Sequence, residues 1–207
     1  MAQPLKLYSY AQAPNPRRVR IFAAEKGIAL SLEEVDILAG QSRTPEFLAK
    51  NSSGAVPVLE LDDGSYLSES VAICRYLEGL QPEPNLLVRD LREQAEIERW
   101  NRRMELELFA PISRPFQNTN PSFQRRIKQF QEYGEAQRAI VHHRLERMDH
   151  ELDGHEFIAS DRFSIADITA LVAIDFGRRL ADIQIAPSLS HLSRWHETVP
   201  KRASAKA

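Results

Sequence analysis

The sequence predicts an α/β domain built on a mixed four-stranded sheet, followed by an all-α domain. Three observations carry that prediction. Short strand-like runs alternate with helical ones over the first 80 of the 207 residues. The segment "GLQPEPN", residues 79–85, then interrupts with two prolines and a glycine. Beyond it the periodic stretches have helical spacing. The boundaries read this way are 1–80 for the first domain, 81–88 for the linker and 89–207 for the second domain.

"LKLYSY", residues 5–10, reads as a strand that ends at a Pro/Asn loop. In "PRRVRIFAAEKG" the residues Val19, Phe22 and Ala23 recur at helical spacing, and Gly27 closes the helix. "LSLEEVDI" is a second strand and "RTPEFLAKN" a short helix. "VPVLELDDGSYLSES" is a hairpin, two apolar runs about Asp63-Gly64, and a helix follows from about Glu69 to Leu80. In the second half, "RDLREQAEIERWNRRMELELFAPI" is a long amphipathic helix that Pro111 should kink or end. Residues 121–152 read as another helix. "SIADITALVAIDFG" is apolar all round and so should be buried, with Ser164 and Asp167 forming a capping box at its start. A last helix spans about Ser188–Val199, and the tail "KRASAKA" is expected to be disordered.

Composition narrows the function. Net charge is −2, which gives no reason to expect a nucleic-acid or anionic-membrane partner. The single cysteine, Cys74, allows no internal disulfide; its place among Val71, Ile73 and Leu77 makes it a core residue rather than a reactive thiol. The six histidines show no metal-ligand spacing, so no metal is expected. No apolar run approaches the roughly 20 residues of a membrane helix, and the N-terminus lacks the pattern of a signal peptide. The expectation is a soluble cytoplasmic protein.

The β-α-β-α-β-β-α unit, the Pro-rich linker and the helical second half together resemble a cytosolic glutathione S-transferase of bacterial type. The likeness runs along nearly the whole chain and is most specific in "GAVPVLELDDGSYLSESVAICRYLE", residues 54–78. It implies a thioredoxin-like first domain, a cis Val56-Pro57 bond, and glutathione held by the backbone of Val56 beside Pro57. Glu69 and Ser70 would bind the γ-glutamyl end, and elementary physics agrees. A helix start favours a carboxylate, and Glu69 can pair with an ammonium group. Ser42 or Arg43 would reach the glycine carboxylate. The resemblance also implies a homodimer and a second-substrate pocket lined by the long helix, with Arg103, Met104, Glu107 and Phe109 as candidates. Glutathione would be a co-substrate, with no further cofactor.

One departure matters. Relatives place a serine or cysteine before a proline at the start of the first helix, or a tyrosine on the first strand, against the glutathione sulfur. Here "APNPRRVR", residues 13–20, has Ala13 at that place. Asn15 is the leading replacement. It also reads as a helix N-cap, followed by Pro16 at the first helical position. Tyr10 and Ser9 are the other candidates. Two function classes therefore stand. One is an enzyme that activates the glutathione thiol toward an electrophile or toward a disulfide or peroxide. The other is a non-catalytic interaction module of the same fold, which the missing hydroxyl would suit.

Overall fold

The computed structural model describes residues 4–88, 90–124, 126–159 and 161–207. Two compact units result. One ends at Asn85 and takes in Lys206–Ala207; the other is Leu86–Ala205. Arg89, the expected first residue of the second domain, lies outside the described residues.

The first unit runs β1 (Leu5–Ser9), α1 (Pro14–Glu25), β2 (Leu30–Glu34), α2 (Pro45–Leu48), β3 (Val58–Glu60), β4 (Tyr66–Ser68) and α3 (Ser70–Leu80). The sheet order is β2-β1-β3-β4. β1 and β2 are parallel, while β1–β3 and β3–β4 are antiparallel. This is the mixed four-stranded, thioredoxin-like sheet. Strand alternation divides the core between two faces. Tyr8 and Val58 pair across β1 and β3 and pack with Phe47 of α2 and Val35. Leu7 and Leu59 point the other way, and both are fully buried. α1 ends as the sequence predicts. Gly27 takes φ 65°, and Ile28 N–H reaches back to the Ala23 carbonyl at 2.9 Å. Lys26 just before it is buried and donates to the carbonyls of Pro82 and Pro84, with Glu78 as its ion-pair partner. It thereby ties the proline-rich segment to the first unit.

The second unit contains α4 (Leu91–Arg103), α5 (Ala110–Thr119), α6 (Gln131–Glu151), α7 (Ile165–Leu180) and α8 (Ser190–Thr198). α7 is its centre, buried continuously from Ile165 to Ile174. The capping box is present: Ser164 Oγ accepts from Ala166 N–H, and Asp167 accepts from Ser164 N–H at 3.0 Å.

Three expectations need correction. Pro111 does not end the long helix. A π-helical turn, Met104–Phe109, joins α4 to α5. Proline lacks an N–H and crowds the carbonyl four residues back, and the wider turn absorbs both. The helix expected over 121–152 begins only at Gln131, after an isolated 3-10 turn at Pro121–Phe123. Polar side chains there take over the backbone's hydrogen bonds. Asn120 Oδ1 accepts from Ser122 N–H, Asn118 Oδ1 from Phe130 N–H, and the Gln129 amide donates to the carbonyls of Gln117 and Asn120. Arg125, within that expected helix, lies outside the described residues. The tail is ordered rather than disordered. It forms 3-10 turns at Val199–Lys201 and Ala203–Lys206, buries Ser204 and Ala205, and sets the Arg202 guanidinium 4.1 Å over the Phe163 ring.

Candidate functional site

Strand register gathers the predicted site at one end of the first unit's sheet. Tyr8 pairs with Val58, and Val58 pairs with Ser68. Continuing each antiparallel pairing one and two residues brings the end of β1, the Val56-Pro57 segment and the Glu69-Ser70 segment together. The Val56-Pro57 peptide bond is cis, as the resemblance implies, and a second cis bond occurs at Glu83-Pro84. Neither the N–H nor the C=O of Val56 hydrogen-bonds another described residue, so both are available to an extended ligand. The turn before it is held by the Asn51 side chain, which donates to the Ala55 carbonyl at 2.8 Å.

Ser42 and Arg43 belong to the same region. Arg43 donates to the Ser53 carbonyl at 2.9 Å, while Ser42 is buried. Gly54 lies between them and Val56 at φ 62°. A Cβ there would meet the Arg43 guanidinium at 2.7 Å and the Ser42 carbonyl at 2.8 Å, so this close approach needs glycine.

Glu69 is the N-cap of α3, and it takes φ 68° and ψ 111°. A non-glycine residue held there costs about 1–3 kcal/mol, and such strain gathers at ligand-binding positions. Ser70 opens the helix, is 6% exposed, and accepts a hydrogen bond from Arg18 Nη1 at 2.8 Å.

The first helix start corrects one expectation. The N-cap of α1 is Ala13, not Asn15, and no side chain caps the helix. Pro14 and Pro16 have no N–H to offer, and Arg17 N–H already reaches the Ala13 carbonyl at 3.3 Å. Asn15 therefore keeps its backbone N–H and its whole side-chain amide free of hydrogen bonds to the described residues.

Ser9 is corrected as a sulfur ligand. It is 1% exposed, and its hydroxyl accepts from Arg20 Nη1 at 3.0 Å. Alternation turns it beneath the sheet, away from Tyr8. Tyr10 follows the end of β1, half-buried, its carbonyl accepting from Ala13 N–H. The loop between them is clamped from both sides: Arg20 donates to the Ala11 carbonyl, and Glu34 accepts from Ala11 N–H, each at 3.1 Å. Burial, and then the neighbouring Arg17 charge, lower the Arg20 pKa.

Sequence reasoning missed Arg20 as a site support, whereas Arg17 and Arg18, first-turn arginines set against the helix dipole, already hint at an anionic partner or an acidic neighbour. Arg18 also stands four residues before Phe22 and beside Val19, on the inward stripe of α1.

In the second unit, Met104 is corrected as a pocket-lining residue. It is fully buried and belongs to the core. Arg103 and Glu107 are engaged in an ion-pair cluster: Arg103 with Glu107 and Glu151, Glu107 also with Arg144 and Arg147. Phe109 packs edge-on against Phe176. Glu107 also borders an open groove of about 600 Å³ with Leu106, Pro111, Ile140 and Arg144. Among the described residues no cluster of His, Cys, Asp and Glu could hold a metal, and no helix is long and apolar enough to cross a membrane.

Comparison with known proteins agrees with this architecture. Residues 13–80 match the glutathione S-transferase N-terminal domain, and residues 91–203 match the C-terminal domain. Glutathione S-transferase 2 of Saccharomyces cerevisiae is 35% identical over 210 aligned positions, covering 100% of this chain and 90% of the relative. The maleylacetoacetate isomerase of Rattus norvegicus is 31% identical over 193 positions, covering 91% and 85%. The crystal structure of Gtt2 from Saccharomyces cerevisiae superposes with a TM-score of 0.91 at 35% identity, covering 97% of this chain and 98% of that one. A glutathione S-transferase domain-containing protein of Marinobacter aquaeolei gives 0.89 at 35% identity, covering 96% and 98%. The chain belongs to the glutathione S-transferase family.

Proposed function

We propose that this protein binds glutathione through residues 1–80 and activates its thiol for attack on a small electrophile or on a disulfide or peroxide. The thiol gives up its proton, and the thiolate bonds to the electrophilic carbon as the substituent anion leaves, to a disulfide sulfur as the other thiolate leaves, or to a peroxide oxygen as the O–O bond breaks and alkoxide or hydroxide leaves, the sulfenic acid so formed being resolved by a second glutathione. The observation that carries the reading is the unused donor set of Asn15 at the α1 N-terminus, in the loop where relatives place a sulfur ligand. Family membership and the free backbone of Val56 support it.

The magnitudes suffice without a hydroxyl. A cysteine thiol titrates near 8.5, and lowering it by about two units requires about 2.7 kcal/mol. A hydrogen bond to a charged group supplies about 1.5–3 kcal/mol. A helix N-terminus adds about 0.3–2 kcal/mol. The two overlap, so they bound the effect rather than sum to it. Glu69 receives the γ-glutamyl ammonium and Ser70 its carboxylate, while Arg43 and Ser42 face the glycine end. The protein acts as a cytoplasmic homodimer.

Retention on immobilised glutathione, followed by turnover with an activated aryl chloride and with a glutathione mixed disulfide, tests this reading. Retention with turnover of either substrate is expected. Retention without turnover favours the interaction module, and failure to bind millimolar glutathione removes the reading.

A further inference from the structure

We propose that the cavity at the C-terminus of α7 binds a small organic molecule through an oxyanion group, a carboxylate or a phosphate. The cavity lies within the second unit, and the inference stands apart from the glutathione reading. α7 ends in a chain reversal. Asp182 takes φ 52°, a conformation that Asp tolerates better than most residues. Ile183 N–H then returns to the Gly177 carbonyl at 3.1 Å. The reversal carries Gln184 back beside Arg178, where its amide accepts from Arg178 Nε and donates to the Arg178 carbonyl, each at 3.4 Å. An open cavity of about 460 Å³ results, lined by Asp175, Arg178, Arg179 and Gln184. That is the size of an ordinary small-molecule site.

Arg178 is oriented without being neutralised. Besides its bond to Gln184, its Nη1 lies 3.4 Å from His196 Nδ1. A guanidinium only donates, so Nδ1 accepts, and the imidazole proton sits on Nε2, where it donates to Asp175 Oδ1 at 2.9 Å. Both side-chain partners of Arg178 are thus uncharged, and its Nη2 is uncommitted. Arg179 makes no hydrogen bond or ion pair with a described residue. Arginines in a last turn often bond its free carbonyls, and among the described residues these two do not. Against their two positive charges stand Asp175 and about half a unit of negative charge from the helix end. Arg138 reaches the Ala181 carbonyl at the same end, but it is paired with Glu135. The exposed Asp182 pairs with neither arginine. The lining therefore stays positive and rich in unused donors. A planar guanidinium fork fits the paired oxygens of a carboxylate or a phosphate, and the bond between them is charge-assisted. Because Gln184 and His196 already hold Arg178, less side-chain freedom is lost when the ion arrives.

The test titrates the whole chain with phenyl phosphate, benzoate and benzamide, followed by ligand-observed NMR. Both anions are expected to bind with a Kd of about 1 mM or tighter. Benzamide, with the same ring and no charge, is expected to bind at least about tenfold more weakly, the scale of one charge-assisted hydrogen bond. The tighter of the two anions identifies the oxyanion the site takes. Arg178→Gln and Arg179→Gln are each expected to weaken both anions by about tenfold and to leave benzamide within about twofold. Both side chains are exposed, so the variants should fold, and an unchanged melting temperature checks that they do. Saturating glutathione is expected to leave the anions bound. Equal affinity for benzamide and the anions overturns the proposal, and so does no binding of either anion at about 10 mM. Anion affinity that survives both substitutions overturns it too. Displacement of the anions by glutathione places them in the first unit's site and overturns this inference while leaving the glutathione reading standing.

Discussion

Asn15 is the second residue of a helix whose other early positions are prolines, and this changes what its substitution measures. Were it the N-cap, replacing it would cost about 1 kcal/mol of stability and confuse folding with chemistry. Its amide caps nothing, so Asn15→Ala should lower turnover at least about tenfold, the loss of one hydrogen bond to a charged group, while the melting temperature stays within a few degrees. Unchanged kinetics with an unchanged fold would exclude it as the sulfur ligand and return attention to Tyr10. Asn15, Val56, Glu69 and Ser70 are candidates because the resemblance to glutathione S-transferases picks out their positions, and their places at helix starts or beside a proline agree with it. The bond between Arg18 and Ser70 could not be read from the sequence, because it joins residues 52 positions apart across two helices. Ser9 misled for a related reason. Strand alternation says which side it faces but not that Arg20 waits there.

Elements were legible where a local rule decides them. The capping box at Ser164 and Asp167 and the glycine ending α1 follow from residue type and spacing alone. The π turn before Pro111 and the late start of α6 depend on which backbone groups find other partners, and periodicity does not report that. The capping box also carries a pH dependence. Burial pushes the Asp167 carboxyl from 3.8 up to about 6, even though Trp195 Nε1, Ile158 N–H and Ser164 N–H all donate to it. With its folded pKa above its unfolded one, the group binds more protons when folded. Its contribution to stability is therefore fully present below about pH 4 and falls as pH rises to about 6, by up to roughly 3 kcal/mol. Urea unfolding of wild type and Asp167→Asn between pH 4 and 7 checks this. The stability difference should shift against the wild type across that window and level off above it. Parallel curves would show that the carboxyl stays ionised.

At the scale of the whole molecule, the division into a sheet-bearing half and a helical half was legible, because the two halves differ in periodicity and a proline-rich segment separates them. The second substrate was not. Of the side chains chosen for it, Met104 is core, and Arg103 and Glu107 bind one another and their neighbours. The proposed homodimer predicts twice the single-chain mass by light scattering at micromolar concentration; a single-chain mass refutes it. The central claim concerns the sulfur, so the most direct measurement is the ultraviolet thiolate absorbance of glutathione bound to the protein, titrated with pH. Thiolate should appear about two pH units below the free value near 8.5. Bound glutathione whose thiol titrates at its free value would contradict the account, since the α1 N-terminus and Asn15 would then hold the ligand without activating it.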